Sequence, residues 1–166
     1  MKPLEPRCLD LLQSPLNRQV ADYWFKLVEG ECAAWPDKAE IDPVALRNVL
    51  PHLCLIDVQP DGALSYRLVG EWVRGLGVRR GQIVEDRHNR CGNFQSCEVL
   101  YHCLEAGLPL WQRYGYGQED GDILQDEGAV TMEALVLPLT ARPESSRIGF
   151  LLTSGDFCKT VSECTL

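Results

Sequence analysis

The chain has no run of about 18 apolar residues, so nothing in it reads as a membrane-spanning helix. The opening residues Met1 to Cys8 (MKPLEPRC) hold no apolar stretch of the kind a secretory leader needs, and a cytoplasmic location is expected. Positive charge is in short supply: 16 Lys and Arg stand against 24 Asp and Glu, a formal net charge of -8. That balance argues against nucleic acid or an anionic membrane as partner of the molecule as a whole. Eight cysteines, at 8, 32, 54, 91, 97, 103, 158 and 164, include no CxxC pair, which removes the usual zinc and dithiol spacings. Missing too are a Ser/His/Asp arrangement, a phosphate loop and an HExxH motif, so no enzyme class is indicated. There is no internal repeat and no low-complexity segment. The acidic stretch 117–129 lacks the alternating ligands and central glycine of a calcium loop.

What is present is a set of well-punctuated elements. Ser14-Pro15 supplies a capping hydroxyl and a proline at the first helical position. Val20, Tyr23, Trp24, Leu27 and Val28 then recur at helical spacing up to Gly30. Asp42-Pro43 is expected to open a second short helix through Val49, after a loose tail over 1–13. Leu53 to Val58 and Leu64 to Val69 read as an antiparallel hairpin around Gln59-Pro60-Asp61-Gly62. A short helix over 71–76 and one further helical turn within 77–93 are expected next. Phe94, Cys97, Leu100, Tyr101 and Leu104 then mark a longer helix ended at Gly107. Strands are expected at 108–116, 130–139 and 147–154, the last two joined around Pro143-Glu144-Ser145. Two strands, a helical middle and three strands make an α+β fold: a five-stranded antiparallel sheet with helices on one face and an N-terminal amphipathic helix.

The run from Leu64 to Gly81, with its wording YRLVG, GLG and GQ, resembles the second strand and first small helix of PAS domains. The Leu137-Pro138-Leu139 strand adds to the likeness, which extends over roughly 35–155 and points to the short bacterial proteins that are little more than one PAS domain. The resemblance implies a pocket between the sheet and the middle helices, and a role as sensor, docking or dimerisation module rather than enzyme. The expected layout is a tail and amphipathic helix over 1–34, a PAS-like domain over 35–158 and a C-terminal tail over 159–166.

Three groups of residues are candidates for function. Tyr66, Leu68, Trp72, Leu76 and Tyr101 would line a small-molecule pocket, the plain alternative being a filled core. Arg74, Arg79, Arg80, Arg87 and Arg90 face only Glu85 and Asp86 in the span 74–90, a basic segment in an acidic chain. It suits either solvent or an acidic partner or phosphate. Val20, Tyr23, Trp24, Leu27 and Val28 would cover the second face of the sheet or form a homodimer interface, because strands 130–139 and 147–154 are apolar on both faces. His88, Cys91, Cys97, His102 and Cys103 could be read as metal or haem ligands, but thiols six apart do not share a helix face, and no metal is assigned. The cysteine motif of flavin-binding light sensors would place its reactive position near Val84, several residues before Cys91, so no cofactor is identified. A rival reading is a small-molecule enzyme in a cone-shaped α+β fold, for which Asp57, Arg67, Arg113 and Glu133 are the acid–base candidates. A thiol redox protein would need a paired, activated cysteine.

Overall fold

A computed structural model of the chain describes residues 2–29, 35–84, 97–115, 130–142 and 147–159. Among them, six strands form one antiparallel sheet. They are β1 (Lys2–Pro3), β2 (Leu53–Val58), β3 (Leu64–Val69), β4 (Leu110–Gly115), β5 (Val130–Thr140) and β6 (Ile148–Lys159), in the order β1-β4-β5-β6-β2-β3. Helices α2 (Glu71–Gly75) and α3 (Cys97–Ala106) pack on one face, and α1 (Pro15–Glu29) packs on the other. The expected α+β class holds, with six strands instead of five.

The sixth strand comes from the N-terminus. Lys2 and Pro3 pair with Trp111 and Leu110, and a 3-10 turn over Pro6–Leu11 follows where a loose tail was expected. Leu4 and Leu12 are buried, so two isolated leucines tie this arm down. Strand β6 runs on to Lys159, past the expected end at 154, because Gly155 to Lys159 pair with Ala134 to Val130. The segment 42–49 is a train of hydrogen-bonded turns and not a regular helix. Asp42 still caps, its Oδ1 accepting from the Val44 N–H at 2.8 Å. The chain after α2 turns back to cover the edge of β3: Gly81 donates to the Tyr66 carbonyl, and Tyr66 and Val84 complete the ladder with Gln82 and Leu64. No helical turn forms within 77–84; the rest of that expectation, the acidic stretch 117–129 and the 143–145 turn lie outside the described residues.

The two faces hold separate cores. Toward α2 and α3, Cys54, Ile56, Leu64, Tyr66, Val136 and Leu151 meet Val73, Val99, Leu100 and Cys103. Toward α1, Leu53, Leu135, Leu137, Leu139 and Leu152 meet Val20, Ala21, Trp24, Leu46 and Val49. The second apolar face of β5 and β6 is therefore covered within one chain. α1, the N-terminal arm and the turns over 41–50 share the work. Val20 and Trp24 are buried, Tyr23, Leu27 and Val28 half-buried. Residues 2–29 thus share the sheet and its second core with the rest of the fold.

Candidate functional site

The expected pocket residues divide. Tyr66 is buried in the core beneath α2 and α3, with Leu76 half-buried against it. Trp72, also half-buried, stacks on His52 with ring centroids 4.5 Å apart and meets Phe157 edge-on at 5.2 Å. Leu68 and Tyr101 point elsewhere. Leu68 is 48% exposed because the β2–β3 register shifts by one: Leu55 opposes Leu68 while Ile56 opposes Tyr66, leaving Arg67 as the extra residue of a bulge. The bulge turns Leu68 to the opposite face and brings Val69 inward in its place. Tyr101 is 38% exposed because the buried stripe of α3 is Val99, Leu100 and Cys103, rotated by about one residue from the stripe read in the sequence.

The same bulge builds a cleft at the edge of the sheet. Leu55, Leu68 and Val69 line it together with Arg67, Arg74, Arg79 and Arg80, around a space of about 680 Å³. Arg67 lies 3.3 Å from Asp57, and Arg74 lies 3.3 Å from Glu71. Arg79 donates to the Arg74 and Val78 carbonyls, and among the described residues neither it nor Arg80 has a carboxylate partner. The structure thus brings together three members of the basic segment; Arg87 and Arg90 lie outside the described residues. In the sequence Arg67 and Leu68 have other expected roles and Leu55 none; their meeting with the basic segment was missed because a one-residue bulge leaves no compositional trace.

A buried polar network at the other face fastens α1 to the sheet. Ser14 caps the helix, its Oγ accepting from the Asn17 N–H at 3.1 Å and donating to Asp156 at 2.8 Å. Glu133, 0% exposed, accepts from the Gln13 and Ser14 N–H groups at 2.9 and 3.0 Å and from Arg113 Nε at 3.0 Å. Arg113 also donates to the Leu11 carbonyl. Asn17, buried in the apolar stripe, donates to the Glu133 carbonyl at 2.9 Å and accepts from Ser154 at 2.7 Å. His52 sits at the end of this network, with Nδ1 3.1 Å from the Gly155 carbonyl, a contact the Nδ1–H tautomer makes as a donor, and 3.8 Å from Asp156. The sequence signal for this network was Asn17, a polar residue three positions before Val20 on an otherwise apolar stripe; His52 had none.

The acid–base candidates form two structural pairs, Asp57 with Arg67 and Arg113 with Glu133, on separate sites. Glu133 is saturated with donors and shut away from solvent, which suits anchoring and not proton transfer. Burial pushes the Cys54 and Cys103 thiols up to about 12, so both stay protonated and unreactive near neutral pH. Cys8, Cys54, Cys103 and Cys158 are free thiols. His102 is exposed and Cys103 buried on the same helix; His88 and Cys91 lie outside the described residues, as does the Cys97 side chain. Among the described residues no three His, Cys, Asp or Glu side chains gather to hold a metal, and no helix is long and apolar enough to cross a membrane.

Comparison with known proteins gives the following. A family model described as a PAS domain matches residues 12–152, a span that takes in α1, strands β2 to β5 and the start of β6. No curated protein matches the chain. A solved structure described as "Structure of RsLOV d2 variant" is similar at 17% identity and a TM-score of 0.40, over 70% of this chain and 66% of that one.

Proposed function

The chain belongs to the PAS domain family, and from that premise we propose that it is a sensory or protein-interaction module that answers to a small ligand or partner and signals through protein contacts, without turnover. The observation that carries this reading is the polar link between the two faces of the sheet. Trp72 of α2 rests on His52; His52 is bonded to β6 at Gly155 and lies beside Asp156; Asp156 takes the hydroxyl that caps α1. A shift of α2 or of the chain after it moves the His52 ring and the β6 end, and so the N-terminus of α1. Helix α1 is the natural output element, because its seat mixes apolar contact with hydrogen bonds that have few alternative partners. Homodimerisation is part of the proposal: with Val20 and Trp24 used on its own sheet, α1 would meet a second copy through its half-buried flank at Tyr23, Leu27 and Val28. An aqueous location within the cell fits an acidic chain of this kind.

Hydrogen exchange tests the reading. Trp72→Ala should speed exchange of amides in α1 as well as in α2, whereas a change confined to α2 and its neighbours would sink the proposed route. Light scattering of the full chain reads the self-association part separately, and a monomer at all concentrations would end it.

A further inference from the structure

We infer that the cleft at the edge of β3 is a binding site for a small organic dianion with an apolar body, a phosphate monoester or a dicarboxylate. Its charge argues for two negative groups. Of the four arginines on its walls, Arg67 and Arg74 are matched by Asp57 and Glu71, while Arg79 and Arg80 have no carboxylate partner among the described residues. Among the described residues that leaves two positive charges in one recess of a protein whose formal net charge is -8. Guanidinium groups present a planar fork that fits carboxylate and phosphate oxygens in pairs, and clustered ones favour such anions over a neutral ligand.

The rest of the lining argues for an apolar body. Leu55, Leu68 and Val69 form the floor, and Leu68 is 48% exposed although the bulge at Arg67 fixes it there. Covering a leucine of this kind is favourable, and inorganic phosphate alone would leave it in water. The volume of about 680 Å³ lies within the usual range for small-molecule sites. The cleft lies at the sheet edge, bordering through Val69 the core that Tyr66 shares with α2 and α3, and it adjoins Gly81 to Val84, the strip that covers β3. An occupant held by Arg79 and Arg80 would therefore pull on the chain that follows α2, the input side of the route proposed above, on which this inference rests.

Calorimetry with the full chain tests the site, using phenyl phosphate and phenylsuccinate as probes and phenol, inorganic phosphate and hexaglutamate as comparisons. At least one probe should bind at one site about tenfold more tightly than phenol or inorganic phosphate, and the stronger probe identifies the source of the anion. Arg80→Glu and the double variant Arg79→Gln/Arg80→Gln should each weaken that probe about tenfold, while Arg47→Glu, the same charge change on another exposed arginine, should shift it less than about twofold. Added salt should weaken binding of the probes. No saturable binding up to about 10 mM, equal affinity for inorganic phosphate, or equal loss in Arg47→Glu would overturn the inference. Binding of hexaglutamate through Arg79 and Arg80 with neither probe bound would also overturn it, marking the cleft as a peptide surface instead. Calorimetry reads the cleft and hydrogen exchange reads the route to α1, so the two proposals fail separately.

Discussion

Replacing Glu133 removes the acceptor on which the seat of α1 depends. Its two oxygens divide the work: Oε1 takes the Ser14 N–H and Asn17 Nδ2, and Oε2 takes the Gln13 N–H and Arg113 Nε. Glu133→Ala leaves the buried Ser14 N–H without its acceptor and strips Arg113 of its only carboxylate among the described residues, while Asn17 keeps the Glu133 main-chain carbonyl. Breaking a buried charge pair from one side costs about 3–5 kcal/mol, and part of this cost is softened because Arg113 still reaches the Leu11 carbonyl and solvent. Glu133→Gln keeps the shape, yet its NH2 group faces two donors whichever way the amide is turned. It should therefore cost about 2–3 kcal/mol, the penalty of one or two buried donors left unpaired. Urea unfolding read by tryptophan fluorescence measures both, with an unchanged m-value showing that the loss is one of stability. A Glu133→Gln protein within about 0.5 kcal/mol of the parent would refute the idea that charge and acceptor count hold the helix.

The other expected outcomes follow from single contacts. A Cβ at Gly70 would stand 2.3 Å from the Pro51 carbonyl oxygen and 2.5 Å from that of Leu50, both main-chain atoms. Gly70→Ala should thus destabilise by about 3 kcal/mol, the upper end of overpacking costs; a protein unfolding at the parent urea midpoint would mean that the β3–α2 corner gives way easily. Cys54 and Cys103 ionise near 12 in the fold against 9.0 for an ordinary thiol, so their contribution is complete below pH 9 and is lost as the pH rises from there toward 12. The slope is about 1.4 kcal/mol per pH unit for each thiol, and Cys103→Ala should flatten the alkaline slope by that amount whatever it does to stability at neutral pH. An unchanged slope would count against burial as the cause.

How far the fold could be read from residues alone depended on whether its signals were local. Strands β2 and β3 were legible to the residue because alternation and the turn at Gln59 to Gly62, where Gly62 takes a φ of 88°, agree. Helix α1 was legible for the same reason, since cap, proline and stripe coincide. The 42–49 segment had a correct cap at Asp42 but only eight residues before Pro51, too short to hold a helix against the turns its packing prefers. The end of β6 was missed because Ser154-Gly155-Asp156 looks like a turn, and only its pairing with β5 makes it a strand. The N-terminal arm likewise depends on β4, more than a hundred residues away in sequence. Of the candidate sites, the basic segment was visible as charge, and Arg74, Arg79 and Arg80 of it meet at the cleft. The apolar floor of the cleft depended on a bulge, and the network around Glu133 on contacts across four elements, which no spacing in the sequence records.

The proposed coupling between the α2 face and α1 runs through His52, Asp156 and Ser14. A double-mutant cycle of His52→Ala and Ser14→Ala on unfolding free energy tests it most directly, because no direct hydrogen bond joins the two side chains and each meets Asp156. A coupling energy of about 0.5–1.5 kcal/mol is expected, separate from the cost of losing the helix cap, which cancels in the cycle. Additivity within about 0.3 kcal/mol would contradict it, leaving α1 fastened to the sheet but deaf to the face beneath α2.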